Sequence, residues 1–227
     1  MSLILSLETS TKACSVVLAR DGVEIDCEEI ISENFTHSEN LTVFIERIFQ
    51  RQEGLSVKNL DAVAVSAGPG SYTGLRIGSS TAKGLCYSLE VPFIAIDSLQ
   101  ALANRVVGAD IDLICPMFDA RRMEVYTTVY DQRLSEKMEL QAMVLDADSF
   151  SDILDRHGVL FLGPGAHKAS EIIDHPNARF DLETTVSAKG MVSLSQKKFE
   201  LGKFEDTAYF EPNYLKSFIA GTPKKHF

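Results

Sequence analysis

Residues 60–76 read Leu60-Asp-Ala-Val-Ala-Val-Ser-Ala-Gly-Pro-Gly-Ser-Tyr-Thr-Gly-Leu-Arg76, and a shorter version returns as Val159-Leu-Phe-Leu-Gly-Pro-Gly-Ala166. In both, an apolar run reads as a buried strand, enters Gly-Pro-Gly and precedes a helical pattern. Outward from the first copy, Leu3–Leu7 and Ala13–Ala19 are apolar runs joined by the hydroxyl-rich Glu8-Thr-Ser-Thr11. Asp21-Gly22 then signals a hairpin into Val23–Ile31. The period changes after that: Thr36 with Glu39 forms a capping box, and Leu41, Phe44, Ile45, Ile48 and Phe49 fall on one helical stripe. A helix is predicted over Thr36–Gln52. Further elements are the strand Leu60–Ala67, the helix Leu75–Leu89, the strand Val91–Ile96 and a helix opened by Asp97-Ser98 that carries Leu99, Leu102, Ala103, Val106 and Val107.

The second half repeats this order more loosely. Ile111–Phe118, Val125–Tyr130 and Met138–Leu145 read as strands, Ser149–His157 as a helix, Val159–Leu162 as a strand and Ser187–Lys203 as the last long helix. A β-β-β-α-β-α unit used twice is the pattern of the actin, hexokinase and Hsp70-type fold, with ligands between the halves. The expected architecture is therefore α/β with two such lobes and a cleft between them. The lobes divide at 1–107 and 108–227, and the tail after about 206 packs back on the first lobe.

Composition agrees with a packed protein. The 227 residues are 45% hydrophobic, with net charge −10 and mean hydropathy +0.01. That charge argues against unaided nucleic-acid binding. The longest run without a charged residue, Ala62–Leu75, has 14 residues and contains Gly68, Pro69 and Gly70, well short of the about 20 that span a bilayer. Met1–Glu8 lacks the basic region of a signal peptide, and the four cysteines are widely spaced, so reduced thiols and the cytoplasm are expected.

The glycine-rich loop is the main candidate site. Gly68, Gly70, Ser71, Thr73, Gly74 and Arg76 could present N–H groups, hydroxyls and a charge to a phosphate. It is neither a Walker loop nor GxGxxG, and by mechanics alone a structural tight turn is the better reading. The helix behind it carries two small-residue stripes, Gly78/Ala82 and Ser80/Gly84. One suffices for packing at home, so the other is available to a partner. Gly78, Ala82 and Leu85, with Leu41, Ile45, Ile48 and Phe49 of the earlier helix, are the predicted partner surface. No histidine pair has ligand spacing and no nucleophile elbow occurs, so neither a metal nor a catalytic residue is assigned.

Four blocks carry a family resemblance: Leu5-Ser-Leu-Glu-Thr-Ser-Thr11 with Ala13-Cys-Ser-Val16; Ala67 through Gly78 with Thr81-Ala-Lys-Gly84; Asp119-Ala-Arg-Arg-Met-Glu-Val-Tyr126; and Gly163-Pro-Gly-Ala166. In this order they resemble the TsaB (YeaZ) family. The resemblance implies a non-catalytic subunit that holds a TsaD-type catalytic partner active while threonylcarbamoyl is placed on N6 of adenosine 37 in ANN-decoding tRNAs. It implies a TsaE-type ATPase in the complex, a homodimer when the chain is alone, tRNA contact only through the complex and no membrane. No cofactor is expected in the isolated subunit, with ATP or ADP in the assembly. In the catalytic relative a metal-binding HxxxH follows the strand that here is Val91–Ile96; carried over, its two histidines fall on Ser98 and Leu102, which cannot replace imidazole ligands. The rival class is an enzyme of the same fold, a glycoprotease-like metallopeptidase or an ATP-dependent phosphotransferase. Metal content and ATPase rate discriminate the two.

Overall fold

Strand β1 (Leu3–Glu8) is buried along its whole length because both faces of its sheet are covered. In the computed structural model, which describes residues 1–32 and 37–216, it is the middle strand of a five-stranded sheet. Around it lie β2 (Ala13–Arg20), β3 (Val23–Ile31), β4 (Ala62–Ser66) and β5 (Phe93–Ile96), in the order β3-β2-β1-β4-β5. Residues of β1 alternate between the two cores. Leu3, Leu5 and Leu7 meet Leu41, Ile48 and Ala82 on one face, while Ile4 meets Ile94, Ala101 and Met191 on the other. A sheet covered on both sides needs continuous apolar runs, which is what β1, β4 and β5 supply, while β3 at the edge is charged and exposed.

Helices α1 (His37–Arg51) and α2 (Tyr72–Leu89) cover the first face, and α3 (Ser98–Asn104) lies on the other. The predicted Thr36 cap of α1 lies outside the described residues. Asp97 caps α3, accepting from Gln100 N at 2.7 Å.

The second sheet has the same plan. Strands β6 (Leu113–Asp119), β7 (Glu124–Asp131), β8 (Glu136–Val144), β9 (Val159–Leu162) and β10 (Ala178–Asp181) are ordered β10-β9-β6-β7-β8. Read from the other edge, this is the order of the first sheet, so the duplication is real. In both sheets the middle strand pairs antiparallel on one side and parallel on the other. The helices here are shorter. The predicted Ser149–His157 helix is a single turn, α4 (Ser151–Leu154), and α5 is Ala166–Ile172.

The chain returns to the first lobe earlier than expected. The return begins at Ser187, not near 206: Ser187 Oγ donates to Glu29, and Ala188 N donates to Ser15 Oγ at 2.6 Å. Met191 and Val192, at the start of α6 (Val192–Glu200), join the core behind β1. A strap then crosses the first lobe. Glu205 N donates to the Phe93 carbonyl, Phe210 meets the Phe93 ring edge-on at 4.9 Å, and Lys83 Nζ donates to the Phe210 carbonyl at 2.7 Å. Farther on, Asn213 N donates to the Ala67 carbonyl at 2.7 Å, Tyr214 packs on Tyr72, and Lys216 pairs with Glu124 of the second lobe. The half-buried Phe210 holds the middle of this strap, so Phe210→Ala should cost about 1–3 kcal/mol, measured by urea denaturation.

Candidate functional site

The glycine-rich loop links β4 to α2, and four of its backbone donors are already engaged. Gly68 N donates to Ser98 Oγ at 3.1 Å, Ser71 N to the Ser10 carbonyl at 2.6 Å, Gly74 N to Ser71 Oγ at 3.3 Å and Leu75 N to the Ser71 carbonyl. Ser71 is thus the N-cap of α2. Gly68 has φ +102° and faces the Asn213 carbonyl, so a side chain there would be strained twice over. Of the six loop residues read as a phosphate cradle, only Thr73 and Arg76 are exposed, and the Arg76 guanidinium lies 4.4 Å over the Tyr72 ring. The loop is a joint between β1, α3 and the strap, and the open anion cradle is corrected to that reading.

The predicted partner surface needs a similar correction. Gly78 faces inward, where a Cβ would strike the Thr9 hydroxyl and lie 3.2 Å from Val65; Ala82 is fully buried. These small residues let α2 settle onto its own sheet. Leu41, Ile45 and Ile48 are likewise core, and Phe49 and Leu85 are half-buried against the same cluster. The outward stripe is the other one. Ser80 and Gly84 are exposed, a Cβ on Gly84 would meet nothing within 4 Å, and Tyr87 beside it is 84% exposed. Between this face and the strap runs a groove of about 210 Å³ lined by Arg76, Ser80, Lys83, Phe210 and Tyr214. A shallower one of about 650 Å³ follows along Lys83, Gly84, Tyr87 and Asp206.

Glu8 is fully buried at the end of β1, accepts from Ser10 N at 2.5 Å through Oε1, and has no partner for Oε2 among the described residues. Ser6, on the same face of β1 as Glu8, and Ser10, in the turn after the strand, each hold a buried hydroxyl without a partner among the described residues. Burial pushes the Glu8 carboxyl up to about 7, against the smaller opposing effect of the polar groups of Ser10, Ser66 and Thr9 around it. At the neighbouring loop, burial raises Asp97 to about 6. Among the described residues, no three His, Cys, Asp or Glu side chains are grouped to hold a metal, and Ser98 and Leu102 are both fully buried.

The two duplicated sheets and the two Gly-Pro-Gly joints define a member of the actin/hexokinase-like class. A family description of TsaD, tRNA N6-adenosine threonylcarbamoyltransferase, matches residues 29–214. The chain is 34% identical over 175 residues to the Bacillus subtilis tRNA threonylcarbamoyladenosine biosynthesis protein TsaB, covering 75% of each chain. It is 35% identical to the Haemophilus influenzae protein of the same name, over 60% of this chain and 55% of that one. Among solved structures, YeaZ from Pseudomonas aeruginosa superposes with a TM-score of 0.77 and 26% identity, over 95% of this chain and 100% of that one. A further P. aeruginosa structure, described as having similarity to peptidase YeaZ, gives 0.81 over the same shares. The chain belongs to the TsaB family.

The buried carboxyl makes a testable prediction. A carboxyl with a raised folded-state pKa binds its proton more tightly folded than unfolded, so its contribution is complete below the ordinary carboxylate range and lost as pH rises through about 7. Glu8→Gln cannot ionise, and should gain on the order of 2 kcal/mol over wild type between pH 5 and pH 8. Thermal midpoints of both proteins across that range check it; a pH-independent difference would refute the raised pKa.

Proposed function

We propose that this chain is a non-catalytic subunit in tRNA threonylcarbamoyladenosine biosynthesis, pairing with a TsaD-type catalytic subunit and supporting transfer of threonylcarbamoyl to N6 of adenosine 37. The observation that carries the reading is the outward stripe of α2. One small stripe, Gly74, Gly78 and Ala82, already seats the helix on its sheet. The second, Ser80 and Gly84 beside the exposed Tyr87, faces solvent among the described residues. Small residues next to an exposed aromatic suit close approach by a partner helix. A homodimer of the lone chain would use the same face, a TsaE-type ATPase would join the assembly, and ATP or ADP would bind only there.

The non-catalytic part is supported by what stands at the two positions that carry metal-binding histidines in the catalytic relative. Ser98 Oγ accepts from Gly68 N, and Leu102 packs beneath Gly163. Both side chains are committed to holding the lobes' glycine joints.

Two arginine substitutions on one helix test the surface. Gly84→Arg points to solvent and should leave a folded monomer that no longer co-purifies with TsaD from the same cell, with loss of the tRNA modification. Ala82→Arg buries an unpaired charge in the core and should fail to fold, at a cost of several kcal/mol. Wild-type affinity of Gly84→Arg for TsaD would place the interface elsewhere.

A further inference from the structure

The turn between β6 and β7 holds Arg121 at φ +71° and Arg122 at φ +50°, two successive left-handed residues. The β2–β3 turn shows what such a pair ordinarily requires. There the left-handed positions, φ 48° and 75°, are Asp21 and Gly22, residue types that accept them readily. At β6–β7 the chain uses two arginines in that backbone, although each left-handed non-glycine residue is strained.

Both arginine side chains are exposed, and among the described residues neither guanidinium has a hydrogen bond or ion pair; only the Arg121 backbone N–H is engaged, by Asp119. The neighbouring carboxylates do not serve them. Asp119 is held by Lys168 at 2.6 Å, and Glu124 by Lys216. Four cations therefore face two carboxylates at this turn, on a chain whose net charge is −10. The equivalent β1–β2 turn of the first lobe also carries an exposed cation, Lys12.

We propose that the β6–β7 turn is a phosphate-contacting surface through which this chain grips the backbone of RNA bound to the assembled complex. This rests on the reading above that the chain works on tRNA within a complex. Exposed guanidinium forks match phosphate oxygens, and backbone contacts need charge without an apolar centre. A protein interface would call for such a centre, and the turn offers only Met123, 41% exposed.

The test uses the complex with the TsaD-type subunit of the same cell and measures tRNA affinity by fluorescence anisotropy across a salt series. Arg121→Ala/Arg122→Ala should weaken binding on the order of tenfold and flatten the log affinity against log salt slope by about 2. Arg121→Asn/Arg122→Gly should lose the same affinity while raising the thermal midpoint, since it relieves the backbone. Arg133→Ala/Arg156→Ala removes equal charge from exposed positions elsewhere on the second lobe and should change neither quantity. Unchanged affinity and slope in the Arg121/Arg122 variants, or an equal loss in the control, overturns the proposal. So does loss of TsaD association in place of tRNA affinity, which would make the turn a protein contact. Failure of the wild-type chain to pair with TsaD would instead sink the functional reading, before any variant is compared.

Discussion

The contact between Thr9 and α2 sets the geometry of the first lobe. The Thr9 hydroxyl donates to the Gly74 carbonyl at 2.8 Å, and the space a side chain would need on Gly74 or Gly78 is filled by Thr9 itself. The helix can therefore lie close enough to the end of β1 for Ser71 N to reach the Ser10 carbonyl. Closeness has a further result: Glu8, one residue before Thr9, is sealed from water. A carboxyl shut away with one backbone donor and no cation is what pushes its proton affinity up. Packing and ionisation at this corner are one phenomenon.

The two lobes use their shared plan differently. In the first, long helices and the returning α6 cover both faces of the sheet. In the second, α4 and α5 are short, and β8 alternates between exposed and half-buried residues. The strap joins them at the open side of the structure. It is pinned by Asn213 at the first glycine joint, while Lys216 reaches Glu124 and lies 5.9 Å over the Tyr126 ring. A ligand cleft in this fold class lies between the lobes, and here the chain's own tail spans from one lobe's joint to the other's first hairpin.

Much of this was legible in the residues, for identifiable reasons. Sheets covered on both faces demand unbroken apolar runs, so Leu3–Leu7 and Val159–Leu162 announced themselves. The paired Gly-Pro-Gly joints exposed the duplication. What stayed hidden depends on contacts distant in sequence. Both stripes of α2 are small, and only the position of Thr9 decides that Gly78 and Ala82 face inward. β10 is four residues long and carries Arg179 and Asp181, so it has no apolar run to notice. The strap has no period at all, because it is held by separate contacts. The backbone of Arg121 and Arg122 stayed hidden too, since arginine gives no hint of a left-handed conformation.

The late return of the chain has a consequence for the order of synthesis. The core behind β1 is completed by Ala188, Met191 and Val192, about 170 to 190 residues after the Ile4 and Val17 they cover. A nascent chain long enough to form the whole first sheet still lacks the lid for one of its faces. That face, with Ile94 and Ile96 in it, must stay open while the entire second lobe is made. The lobe that begins first is therefore the one that closes last.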